Sequence, residues 1–68
     1  MAKPRLISNL DRTRWVSLSK IREFTICNSS PGLNPWKVIA WLDEQHCFIC
    51  FEAPLQRDAI TWVEELNK

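Results

Sequence analysis

The chain is 68 residues long, 46% hydrophobic and 10% aromatic, with a formal net charge of +1. That is one domain, too apolar for a disordered segment, and its longest apolar runs, Val38–Leu42 and Cys47–Phe51 at five residues each, fall far below the roughly 18 needed to cross a bilayer. The charge is uneven, since residues 1–27 carry six cations (Lys3, Arg5, Arg12, Arg14, Lys20, Arg22) against Asp11 and Glu23, and residues 28–68 carry three (Lys37, Arg57, Lys68) against six acids.

Residues 1–12 are polar and basic, contain Pro4, and offer only Leu6, Ile7 and Leu10 for packing. They read as a basic N-terminal segment that frays unless something holds it, ahead of a single domain over residues 13–68. No apolar stretch or cleavage site follows Met1-Ala2-Lys3-Pro4-Arg5, so no signal peptide is expected. With an odd number of Cys, three, a disulfide framework is not expected either, and a cytoplasmic, reducing setting fits best.

Strands are predicted at about 14–18 and 21–27, joined at Ser19-Lys20 or continuous through a bulge, with Leu18 and Ile21 both turned inward at the bend. Asn28 to Pro35 is a loop, rich in Asn, Ser and Pro and holding the only Gly. Trp36–Leu42 and His46–Glu52 are the next strands, and the short polar turn Asp43-Glu44-Gln45 makes them an antiparallel hairpin. Pro54 stops the sheet. From Leu55 to Asn67, Leu55, Ala59, Trp62, Val63 and Leu66 fall on one helical face, and the polar residues between them form the other. The expected fold is therefore α+β: an antiparallel β-meander of three to four strands with one C-terminal amphipathic helix packed on one face.

Period-two alternation divides each strand between two faces. It groups Trp36, Val38, Ala40 and Leu42 against Lys37, Ile39, Trp41 and Asp43, then Cys47, Ile49 and Phe51 against His46, Phe48, Cys50 and Glu52. Neither strand has a polar side. One helix covers one face, so the other keeps large apolar groups that a solvated sheet would not show. Two covers suit it: the N-terminal segment folding back with Leu6, Ile7, Leu10 and Trp15, or a partner, of which a second copy is the simplest. Trp36 and Trp41 point to opposite sides, so one faces the helix and the other, with Ile39, is a candidate contact for a partner. Trp15 suits either role.

Catalytic chemistry finds little support. Cys47-x-x-Cys50 has Phe and Ile between the thiols, which favours a straight strand with the two sulfurs on opposite faces. Zinc ligands instead need a bend that lets both converge. Nothing helical begins at Cys47 to lower a redox thiol's pKa. The single His, His46, sits beside a turn, no carboxylate pair is flanked by apolar residues, and one Gly cannot cradle a phosphate. The chain reads as no enzyme, with no metal, cofactor, small-molecule substrate or membrane partner. The competing reading is single-stranded nucleic-acid binding, with Arg5, Arg12, Arg14, Lys20 and Arg22 neutralising phosphates and Trp15 stacking on a base. A sequence pI of 7.7 argues against it, since dedicated binders commonly lie above about 9.

The run Trp15-Val16-Ser17-Leu18-Ser19-Lys20-Ile21, then Trp36-Lys37-Val38-Ile39, then Phe48-Ile49-Cys50-Phe51-Glu52 and the final helix resembles a pattern in small uncharacterised bacterial and phage domains. There an aromatic-led strand turns at a Leu-x-x-Ile step, and two strands and a C-terminal helix follow. The resemblance covers residues 15–67 and implies the fold but no functional residue; the Pro-Gly loop and the Cys pair depart from it. Together these features predict a small non-enzymatic protein–protein interaction domain, as a homodimer or as an accessory or inhibitory subunit.

Overall fold

The computed structural model describes residues 5–28 and 32–66. In chain order they form β1 (Leu6–Ser8), β2 (Trp15–Ser17), a 3₁₀ turn (Leu18–Lys20), β3 (Glu23–Asn28), β4 (Trp36–Trp41), β5 (Cys47–Ala53) and α1 (Gln56–Leu66). β3, β4 and β5 are an antiparallel meander, while β1 and β2 pair as a separate antiparallel hairpin. With α1 packed on the meander, the arrangement is α+β, as the sequence pattern predicts.

Each element has a local cause. The β-branched and aromatic runs Phe24-Thr25-Ile26 and Val38-Ile39 suit a pleated, half-buried surface. The 3₁₀ turn joins β2 to β3, and Leu18 at its start and Ile21 just after it both pack against the core. The Asp43 carboxylate organises the β4–β5 turn by accepting hydrogen bonds from the Gln45 and His46 backbone N–H groups at 2.7 and 2.8 Å. The loop expected from Asn28 to Pro35 lies partly outside the described residues, at 29–31. α1 starts where Leu55 accepts from the Asp58 and Ala59 N–H groups, with Asp58 in the first turn where the helix dipole favours an acid. Its predicted last residue, Asn67, lies outside the described residues.

β1 is an element the composition of residues 1–12 does not announce. Leu6, Ile7 and Ser8 pair with Ser17, Val16 and Trp15, and the connection is built around one side chain. Asn9 Oδ1 accepts from the Thr13 and Arg14 N–H groups at 3.0 and 3.4 Å, and its Nδ2 donates to Thr13 Oγ1 at 3.0 Å. Arg12 takes up the reversal at φ 58, a left-handed conformation that Asn or Gly adopts at less cost. Arg5 then fastens the hairpin to the helix by donating from Nη1 to the Leu66 carbonyl at 2.8 Å. The end of α1 leaves such carbonyls without a partner inside the helix.

The core lies between the sheet and α1. Its buried residues are Ile7, Val38, Ala40, Cys50, Ala53 and Ala59. The small side chains of Ala40, Ala53 and Ala59 let α1 lie close to the sheet, and aromatic rings fill the margins. Trp62 stacks on Phe51 (centroids 4.8 Å, planes 8° apart) and meets Phe24 edge-on at 6.2 Å, so one helix residue joins β3 to β5 across β4.

Two expectations are corrected. Strict alternation along β5 fails because a β-bulge lies opposite Val38 and Ile39: Val38 pairs with Phe51 and Ile39 with Ile49, leaving Cys50 as the extra residue. Cys50 and Phe51 therefore both face the helix, and Glu52 joins Ile49 on the other side. The N-terminal segment does fold back, but onto the helix side. Buried Ile7 belongs to the same cluster as Ala59, and the Arg14 guanidinium lies 5.9 Å from the ring centroid of Phe48, itself part of that cluster's margin. Helix and hairpin thus share one face of the meander.

Candidate functional site

With both covering elements on one side, the other face of the meander carries the candidate site. Strand register sorts it into three rows across β3, β4 and β5: Cys27–Lys37–Glu52, Thr25–Ile39–Ile49 and Glu23–Trp41–Cys47. Ile39, Trp41 and Ile49 are half-buried, shielded by neighbouring strands, yet none packs against the core cluster. The face is apolar at its centre and charged at its ends.

Its polar groups are held in place. The Trp41 Nε1–H donates to Thr25 Oγ1 at 3.0 Å, which lays the indole across β3 instead of letting it swing into solvent. The Lys37 ammonium pairs with the Glu52 carboxylate, an ion pair that the bulge makes possible by turning Glu52 to this side. Lys37 is only 15% exposed at its side chain, so its charge lies along the sheet.

Beyond Trp41, a shallow cleft of about 400 Å³ is lined by Arg22, Glu23, Thr25, Trp41, Asp43 and Glu44. The Gln45 N–H first, and then the His46 ring, hold the Asp43 carboxyl below the usual carboxylate range. His46 Nδ1 sits 2.9 Å from both Asp43 oxygens, and both side chains are exposed. This is the hydrogen bonding of a tight turn, and no nucleophile stands within it. Cys47 is exposed on the open face and Cys50 is buried on the other, the opposed directions expected of a straight strand. Among the described residues no group of three or more His, Cys, Asp or Glu side chains gathers around a common point.

The candidate residues from the sequence fall in different places. Ile39 and Trp41 share the open face, whereas Trp36 packs against the helix-side core. Trp15 is 54% exposed on β2, with Leu6 at 55% nearby on the paired strand. Ile49 and Thr25, which the sequence did not single out, complete the patch. Their signal is recoverable only from register, because each lies directly opposite Ile39. The five cations proposed for nucleic acid are dispersed. Arg5 caps α1, Arg14 lies over Phe48, and Arg22 lines the cleft beside Asp43 and Glu44. Arg12 is at the hairpin tip and Lys20 in the 3₁₀ turn.

Among the described residues, no helix is long and apolar enough to cross a membrane. Compared with protein-family models, curated proteins and solved structures, the chain matches none.

Proposed function

We propose that this protein is a small non-enzymatic interaction module that docks onto another protein surface through the open face of its β3–β4–β5 sheet. The carrying observation is that α1 and the β1–β2 hairpin both cover the same side, so that among the described residues no element covers Ile39, Trp41 and Ile49. Sheet faces open to water normally alternate to polar residues, and a contiguous apolar patch on a small chain marks a contact surface. The pinned indole of Trp41 adds a rigid aromatic anchor of the kind that dominates protein interfaces. Such a module suits a homodimer, or an accessory or inhibitory subunit of a larger assembly. The nucleic-acid reading has less support, because Arg5 and Arg14 are committed to contacts within the chain and Arg22 sits among acids.

The test compares the wild type with Ile49→Glu on the open face. Expected for the wild type is either a mass above 8.0 kDa by light scattering, or a monomer that binds an apolar-surface dye strongly. In Ile49→Glu, association and dye binding both fall while the circular dichroism spectrum is retained. A wild-type monomer that binds no dye overturns the proposal.

A further inference from the structure

We propose that this protein also binds a small planar aromatic carboxylate, in a cavity on the helix side of the sheet that is separate from the open face. The cavity, of about 460 Å³, lies between the β1–β2 connection (Asn9, Leu10, Arg12) and the residues Cys50, Phe51 and Trp62. That volume is within the ordinary range of small-molecule sites. Its members lie far apart in sequence, so no local motif announces it. Two backbone irregularities meet there. Among the described residues, Arg12 is the one non-glycine residue with a positive φ, and Cys50 is the extra residue of the β5 bulge. Strained backbone and bulges both concentrate where a fold re-aims side chains around a ligand.

Floor and rim of the cavity differ in chemistry. The floor is apolar. The Phe51 and Trp62 rings, stacked at 4.8 Å and each only half-buried, lie beside the buried Cys50, and Leu10, 45% exposed, adds an aliphatic wall. A flat apolar body gains both area burial and ring contact there. At the rim stands Arg12. Asn or Gly adopts its left-handed conformation with less strain, yet the position carries a guanidinium, and among the described residues nothing pairs with that group. A carboxylate matches its planar fork with two parallel hydrogen bonds. Asn9, fixed by its bonds to Thr13 and Arg14, holds in place the turn that carries Arg12.

Charge selects a monoanion. Glu52 also lines the cavity, but its carboxylate is paired with Lys37, so the unpaired charge at the site is that of Arg12. One guanidinium neutralises one carboxylate, whereas a phosphate dianion would carry a second charge that Glu52 repels. A ligand of this size in an open cavity binds with a dissociation constant of about 1 mM or somewhat below.

Titration with 2-naphthoate, followed by backbone and indole N–H NMR, tests this, with the neutral 2-naphthamide as the uncharged counterpart. Naphthoate is expected to shift the signals of residues 8–12 and 50–52 and of the Trp62 indole, and naphthamide to bind at least tenfold more weakly. Arg12→Gly removes the guanidinium and suits the backbone. Its urea midpoint is expected to match or exceed that of the wild type, while its affinity for naphthoate falls at least tenfold, to the level of naphthamide. Ile49→Glu, on the open face, is expected to leave naphthoate binding unchanged, which separates this cavity from the docking surface. Shifts confined to Thr25 and the Trp41 indole would overturn the proposal, as would no shift at millimolar naphthoate. Equal affinities for naphthoate and naphthamide, or an Arg12→Gly variant that binds naphthoate as the wild type does, would overturn it equally.

Discussion

Cys50 is buried beneath α1, its Sγ donating to the Val38 carbonyl at 3.4 Å, and burial pushes its thiol from the ordinary 9.0 up to about 11. The folded state therefore holds this proton to higher pH than the unfolded chain does. The corresponding stability is fully present below the unfolded value and is lost as pH rises from about 9 through about 11. At full weight the difference between those values corresponds to about 2.7 kcal/mol. Screening by nearby solvent cuts this to roughly 1–2 kcal/mol. A domain of this length is expected to have only about 3–5 kcal/mol in total, so the loss is large. The chain has no Tyr, which leaves thiols and ammonium groups as the titrating side chains in that window. Urea unfolding midpoints measured from neutral pH to about pH 11 are expected to fall steeply for the wild type. Cys50→Ala starts about 1 kcal/mol lower through lost packing, but its alkaline limb is shallower and the two curves converge. Curves that remain parallel from neutral pH upward would refute the argument.

Two further substitutions probe the elements that position the open face. Trp62→Ala removes the ring that stacks on Phe51 and abuts Phe24, and is expected to cost about 2–4 kcal/mol, less than a fully buried Trp because Trp62 is half-buried; the urea midpoint should fall by roughly half or more, with Trp62→Phe partly rescued. Asn9→Ala strips three side-chain hydrogen bonds from the β1–β2 connection and is expected to cost about 1 kcal/mol, a fall of roughly 4–8 °C in melting temperature, with faster amide exchange confined to the hairpin.

The meander and α1 were legible because their signals are local. β-branched and aromatic runs bounded by Pro and Asp mark β3, β4 and β5, and a run of apolar residues at helical spacing marks α1. β1 was not legible. Three residues, Leu6, Ile7 and Ser8, carry no periodicity, and they become a strand only by pairing with β2 across the turn that Asn9 organises. Which side the hairpin covers is set by the burial of Ile7 and by Arg5 reaching the end of α1, contacts distant in sequence. The candidate site was half legible. Alternation placed Ile39 with Trp41 and opposed both to Trp36, but could not say which group the helix would choose. The small Ala40 and fully buried Val38 beside Trp36 decide that question, since α1 can approach closely only over that side.

The bulge at Cys50 is what lets one strand serve two apolar surfaces. Unbroken alternation from Cys47 would carry Phe51 to the open face beside Ile49 and turn Glu52 into the core, leaving Trp62 without its stacking partner and a carboxylate without water. One inserted residue reverses both directions at once. Phe51 turns under Trp62, Glu52 comes out beside Lys37, and Cys50 fills the space between as a small apolar side chain. The insertion sits on β5, an edge strand of the sheet, where an unpaired residue disturbs only one ladder, and where the added twist discourages a foreign strand from pairing along it. The same residue that completes the core therefore sets the charge pattern of the open face, because Lys37 without Glu52 would be a lone cation at the end of an apolar patch. Core packing and the chemistry of the candidate interface are coupled through the conformation of a single residue.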